Sequence, residues 1–190
     1  MKREMDHDPK ASGDDGEWVM QWSDFCRNFR TVYVCRIYKP VSDGGEWHVY
    51  HTPGQWKGET AGGCSNTKAV LKNPQYYLQV SEPCTVFLSL RVQEEEGTGR
   101  EYEFAIGAVV IDNGGKRMRY NSDIKLRTGS FTFAREVSVE GQLKPESSLL
   151  TVCPSTFSAG EEARFTLTVI SRAPLDPACL DGTKLKLIPT

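Results

Sequence analysis

From residue 31 to the C-terminus, apolar residues recur mainly at every second position, in short runs bounded by glycine, proline, asparagine and aspartate. A period of two is that of a strand with one buried face. It predicts strands at Thr31–Tyr38, Glu46–Thr52, Gln75–Val80, Cys84–Gln93, Glu101–Ile111, Arg117–Leu126, Phe131–Val139, Leu149–Pro154 and Ala163–Ser171, with a weaker one at Lys184–Ile188. Asp43-Gly44-Gly45, Glu96-Gly97-Thr98-Gly99, Asp112-Asn113-Gly114-Gly115 and Thr128-Gly129-Ser130 lie between runs and suit tight hairpin turns. Pro83, Pro145 and Pro154 fall at strand margins, where a missing N–H does least harm. Helical spacing occurs once: Trp22, Phe25 and Phe29 stand three and four apart, with Ser23 as the expected N-cap and Asp24 in the first turn. The fold class that follows is all-β, an antiparallel β-sandwich of about eight strands in two sheets, preceded by one short helix.

The composition divides the chain without changing that reading. Residues 1–14 are polar and too poor in apolar groups to bury, and are expected to be a disordered tail. Residues 15–30 form a short segment of different character, residues 31–175 carry the sandwich, and residues 176–190 are an extension or a last strand. A formal net charge of -2 argues against nucleic acid as a partner. No stretch is apolar enough to span a membrane and the N-terminus is charged, so the expectation is a soluble, cytoplasmic protein.

Candidate chemistry is sparse. The six cysteines (Cys26, Cys35, Cys64, Cys84, Cys153, Cys179) are scattered singly, and His7, His48 and His51 do not fall at zinc-site spacing. Cys64 follows Gly62-Gly63, but no helix follows to activate its thiol, so no catalytic residue is assigned. Glu94, Glu95 and Glu96, with Glu101 and Glu103 beyond them, could gather carboxylates for Ca²⁺; a solvated hairpin tip is the simpler reading. Lys116, Arg117 and Arg119 form a small basic stretch, and alternation places Arg117 and Arg119 on one solvent face. Trp18, Trp22, Trp47 and Trp56 all lie in the first third, and Trp18, Trp22 and Trp56 are candidates for a domain interface. Gly54-Gln55-Trp56 opens a long connection running through Thr60-Ala61-Gly62-Gly63-Cys64 to Asn73-Pro74-Gln75-Tyr76.

Those last residues carry a resemblance. Asp15-Gly16-Glu17-Trp18, Trp22-Ser23-Asp24-Phe25, Phe29 and Val34-Cys35-Arg36 resemble the end of a calpain protease core running into its β-sandwich domain. Trp56, Gly62, Gly63, Cys64, Asn66, Asn73 and Pro74 resemble the signature that opens that sandwich, and Val152–Phe157 with Gly160-Glu161 the segment before its last strands. Phe29–Tyr38 resembles most the membrane-anchored plant calpains. The resemblance implies a non-catalytic regulatory domain of a calcium-dependent cysteine endopeptidase, packed on the protease core, with contact to calcium or to anionic phospholipid at a membrane surface. A free-standing protein- or lipid-binding module derived from that domain is the alternative. The family's catalytic Cys, His and Asn precede this segment. Asp15 and Glu17 match a step that supplies carboxylates to a Ca²⁺ site in the core, so a partial metal site is implied there, and no cofactor outside a complete protease. Conventional calpains carry an acidic loop where this chain reads Val80-Ser81-Glu82-Pro83-Cys84, which leaves Glu94–Glu96 as the candidate acidic loop.

Overall fold

The computed structural model describes residues 19–32, 36–93, 104–118 and 123–189. The chain divides into two units, Met1–Ile37 and Tyr38–Thr190.

The described element of the first unit is helix α1 (Trp22–Asn28). Its N-cap is Gln21 rather than Ser23: the Asp24 and Phe25 amides donate to the Gln21 carbonyl at 3.0 and 2.9 Å. Starting the helix there places the rings of Trp22 and Phe25 5.4 Å apart and nearly parallel, and Phe25 stacks in turn on Phe29 at 4.7 Å. The strand expected at Thr31–Tyr38 is not formed at residues 31, 32 or 36–38, and Tyr33, Val34 and Cys35 lie outside the described residues. Alternation alone does not make a strand; a paired edge is needed to satisfy its backbone.

The second unit is the sandwich. Its strands are β1 (His48–Trp56), β2 (Tyr76–Leu78), β3 (Cys84–Val92), β4 (Ala105–Asp112), β5 (Asp123–Arg127), β6 (Thr132–Phe133), β7 (Glu136–Leu143), β8 (Leu150–Thr156), β9 (Ala163–Ser171), β10 (Leu180–Asp181) and β11 (Lys184–Leu185). One sheet runs β1-β9-β3-β7 and the other β2-β8-β4-β5, with β6 paired to β4 and β10 to β11 as a separate hairpin. All the ladders are antiparallel.

Alternation fixes the inner faces. Val86, Leu88 and Leu90 of β3 and Phe165, Leu167 and Val169 of β9 form one wall. Ile106, Ala108 and Val110 of β4 with Leu150 and Val152 of β8 form the other. Each large side chain buried this way contributes roughly 1.5–3 kcal/mol. Cys179, Leu180 and Leu185 also join this core, so the β10–β11 hairpin belongs to the sandwich.

Four expectations need correction. β1 continues through Pro53-Gly54-Gln55-Trp56, expected to be loop, because β1 is an edge strand whose ladder is with β9 on one side, and an edge tolerates proline. The run Phe131–Val139 is two strands in different sheets, β6 on β4 and β7 on β3. The run Arg117–Leu126 begins only at Asp123, since Arg117 and Met118 are held by side-chain bonds instead. Pro154 stands inside β8 rather than at its margin. Its partner Ala108 bonds both backbone groups to Thr128, so the pair exchanges no ladder bonds and the proline nitrogen faces away from β4, beyond the end of β2.

Candidate functional site

Strand β8 is buried along its whole length, which a strand with one solvent face is not. The cover over its outer face is built from the signature segment 57–75 and the turn 113–118.

Asn73, fully buried, is the clamp of that cover. Its Oδ1 accepts from the Gly62 amide at 2.7 Å and its Nδ2 donates to the Gly63 carbonyl at 2.8 Å, so one amide side chain fixes both glycines. Neither glycine admits a side chain. A Cβ on Gly62 would lie 2.0 Å from the Ala69 carbonyl oxygen, and Gly63 has φ +74° with Ala159 N 2.6 Å from where its Cβ would be. Cys64 then donates its amide to the Phe157 carbonyl, and Gly160 donates to the Ala61 carbonyl, tying the loop to the end of β8. Thr67 donates its hydroxyl to the Gly62 carbonyl. On the other flank, Thr151 of β8 bonds Asn113 Oδ1 and the Lys116 carbonyl.

Beneath the clamp lies Cys153. Its thiol is pushed up to about 12 by burial, against the lowering effect of the hydrogen bond with Asn73 and the positive charge of Arg117. Tyr76 is likewise raised to about 12, by burial and then by Cys153. Both groups are therefore neutral at physiological pH. Cys64 is buried too, and Cys26 is exposed. His51 meets the Thr168 hydroxyl at 3.1 Å on β9.

Trp56, expected at a domain interface, is 1% exposed. It packs on Phe165 with ring centroids 4.4 Å apart and donates Nε1–H to the Pro154 carbonyl at 3.1 Å. It is a core residue joining the edge of one sheet to a central strand of the other. Trp22, by contrast, is 75% exposed on α1. Trp18, Asp15, Glu17, Glu94, Glu95 and Glu96 lie outside the described residues, as does Arg119.

Arg117 is the residue that the sequence reading misplaced most. Half-buried and bonded to protein, its guanidinium donates to four backbone carbonyls: Leu71 (2.7 Å from Nη2, 3.2 Å from Nε), Asn73 (2.7 Å), Ile188 (2.9 Å) and Pro189 (3.4 Å). Nothing in a basic run beside a Gly-Gly turn distinguishes this from a solvated charge; only the convergence of residues distant in sequence reveals it. Met118 extends the junction by donating its amide to Gln75 Oε1 at 2.6 Å. Elsewhere Lys125 of β5 gathers Asp123, Glu146 and Asp112 at 3.0, 3.5 and 3.6 Å. The signature residues Gly62, Gly63, Cys64 and Asn73 thus meet in one structural junction, and Pro74 follows the clamp directly. Among the described residues no group of three or more His, Cys, Asp or Glu could hold a metal ion.

Comparison with known proteins gives this junction its context. Residues 52–170 match the family model described as "Calpain large subunit, domain III". The chain is 34% identical to calpain-type cysteine protease ADL1 of Oryza sativa subsp. japonica, covering 92% of this chain and 9% of that protein. It is also 34% identical to calpain-type cysteine protease DEK1 of Zea mays, covering 91% of this chain and 8% of that one. A serine/threonine-protein kinase 4 homolog B of Dictyostelium discoideum is 30% identical over 64% of this chain and 11% of its own length. The chain therefore spans less than a tenth of the plant proteases that it resembles. The β-sandwich, its buried signature junction and these matches together place the chain in the calpain family, over the region of large-subunit domain III.

Proposed function

We propose that this chain is a non-catalytic regulatory domain of a calcium-dependent cysteine endopeptidase and works by packing on the protease core. The observation that carries the proposal is the aromatic row of α1. Trp22, Phe25 and Phe29 stack face on face, no residue of the helix is buried, and Trp22 and Phe29 are 75% and 44% exposed. An indole this exposed on a seven-residue helix, stacked on the next aromatic of the same helix, is a large apolar group for a short element to leave in water, and such groups mark interaction sites. The buried, neutral thiol of Cys153 supports a structural rather than nucleophilic use of this cysteine. Contact with Ca²⁺ or anionic phospholipid and a cytoplasmic, membrane-surface location belong to the same reading, with Asp15 and Glu17 giving only part of a metal site.

Titration calorimetry tests it: the chain is titrated into the protease core of the rice relative, truncated before the segment matching Asp15–Arg30. Binding that weakens at least about tenfold in the Trp22→Ala/Phe29→Ala double variant is expected, the loss of about 1.4 kcal/mol or more that hot-spot aromatics give. Absence of binding would remove the core-docking reading. Sedimentation with phosphatidylserine vesicles, with and without Ca²⁺, tests lipid contact separately.

The match within a kinase polypeptide favours a second reading, a portable protein- or lipid-binding module that does not depend on a protease core. Vesicle binding without core binding is its expected signature.

A further inference from the structure

The Arg117 junction joins three stretches of chain. Residues 71–75 come from the signature segment, 117–118 from the turn after β4, and 186–189 from the C-terminal stretch beyond β11. The guanidinium has five N–H donors in a fixed fork, and its five hydrogen bonds to carbonyls involve all three of its nitrogens. Among the described residues these partners are carbonyls, so the contacts are directional hydrogen bonds.

What the C-terminal stretch covers is the outer edge of β2. The Tyr77 amide donates to the Lys186 carbonyl at 3.0 Å, the Ile188 amide donates to the Gln75 carbonyl at 2.8 Å, and Leu187 bridges Tyr76. Without this stretch, β2 would be a bare sheet edge. The stretch itself is held unevenly. Leu185 is buried, paired with Leu180, and donates its amide to the Thr52 hydroxyl, whereas Leu187 is 54% exposed and Ile188 is followed by an exposed Pro189. Beyond Leu185 the anchors are three backbone bonds, the third being the Lys186 amide donating to the Cys179 carbonyl at 2.9 Å, together with the Ile188 side chain and Arg117.

We propose that Arg117 is the pin of a conformational latch: seated, it holds residues 186–189 over the β2 edge; withdrawn, it lets them lift as a local opening while the two sheets stay folded. The pin is a single side chain on a turn where Gly114 and Gly115 both have positive φ, outside any strand, so it can leave without breaking a ladder. The opening uncovers the Tyr77 amide, the Gln75 carbonyl and the apolar Ile188 site. Local openings of this size, well below global unfolding, are common at element ends.

Native-state amide exchange in the full chain tests the latch. In the wild type, the Tyr77 and Ile188 amides are expected to exchange through an opening that depends on urea much less than that of Leu88 or Val169. Arg117→Gln should speed exchange at Tyr77 and Ile188 roughly 10- to 100-fold, the loss expected of charged-donor hydrogen bonds, with Leu88 and Val169 nearly unchanged. Arg117→Lys keeps the charge but has three donors and cannot span the four carbonyls; it should give most of the same effect and provides the reading if the glutamine variant does not fold. Unchanged protection at Tyr77 and Ile188 overturns the proposal. Equal acceleration at all four amides also overturns it, because Arg117 would then be an ordinary global stabiliser.

Discussion

At the scale of single residues, the buried signature behaves as a fitted set. Asn73 satisfies Gly62 and Gly63 from both ends of its amide, so Asn73→Ala strands two buried backbone groups and should cost about 2–4 kcal/mol in urea unfolding. Asn73→Asp keeps the acceptor for Gly62 but sets a second carboxylate oxygen against the Gly63 carbonyl in a buried site, and should cost at least as much as Asn73→Ala. Gly62→Ala should be at least as costly, since its methyl meets the Ala69 carbonyl, a backbone atom that cannot swing aside. Cys153 adds a pH dependence with a definite sign. Its folded-state value is raised from 9.0 to about 12, so its contribution is complete below pH 9 and is lost as pH climbs toward 12. Between pH 9 and 10.5 that loss is about 2 kcal/mol by linkage. Cys179, raised to about 11, and Tyr76, raised to about 12, act in the same direction, so the curve flattens in Cys153→Ser without becoming level. Urea midpoints falling just as steeply above pH 9 in Cys153→Ser as in the wild type would count against this account. The sequence showed these residue types and their order, because resemblance to a family preserves both. It could not show that Arg117 belongs with them, since a guanidinium bonded to four carbonyls leaves no periodic trace.

Among elements, what was legible follows from what a strand pattern encodes. β3 and β9 are legible because alternation over many residues is imposed by a buried wall, and the observed β9 matches the expected Ala163–Ser171. The expected strand ends at Thr52, whereas β1 runs on through Pro53 and Gly54 to Trp56, and nothing local says that a strand lies at an edge. The Phe131–Val139 run was fused because both halves favour strand; only the sheet each half pairs with divides them. Trp56, expected at a domain interface, follows the same logic: in a connection it would be open to a partner, but as the last residue of β1 it faces the core. Its role makes a prediction about how the sheets are joined. Trp56→Phe keeps the contact with Phe165 but leaves the Pro154 carbonyl without its donor, and should cost about 1–2 kcal/mol. Trp56→Ala also empties the ring volume and should cost about 3–5 kcal/mol. Comparable losses for the two variants would mean that the hydrogen bond, and not the packing, carries the tryptophan's contribution.

For the molecule as a whole, the question is which part of the chain makes the fold. The core cluster runs from Trp56 to Leu185, and every one of its residues lies in the unit Tyr38–Thr190. The described residues before Tyr38 contribute none of them, and α1 buries no residue of its own. A chain beginning at Tyr38 should therefore fold with the same cooperative transition as the full chain. Its melting temperature should lie within about 2–4 °C, the shift that about 1 kcal/mol produces in a domain of this size. Removing residues 176–189 should be far more damaging, because Cys179, Leu180 and Leu185 leave the core with them and the β2 edge loses its cover. Calorimetric scans of the two shortened chains separate these contributions. If loss of residues 1–37 abolished the transition while loss of the C-terminal stretch left it intact, the folding unit would have been drawn at the wrong end. The expected order instead makes the sandwich a folding unit that keeps its own stability with or without residues 1–37.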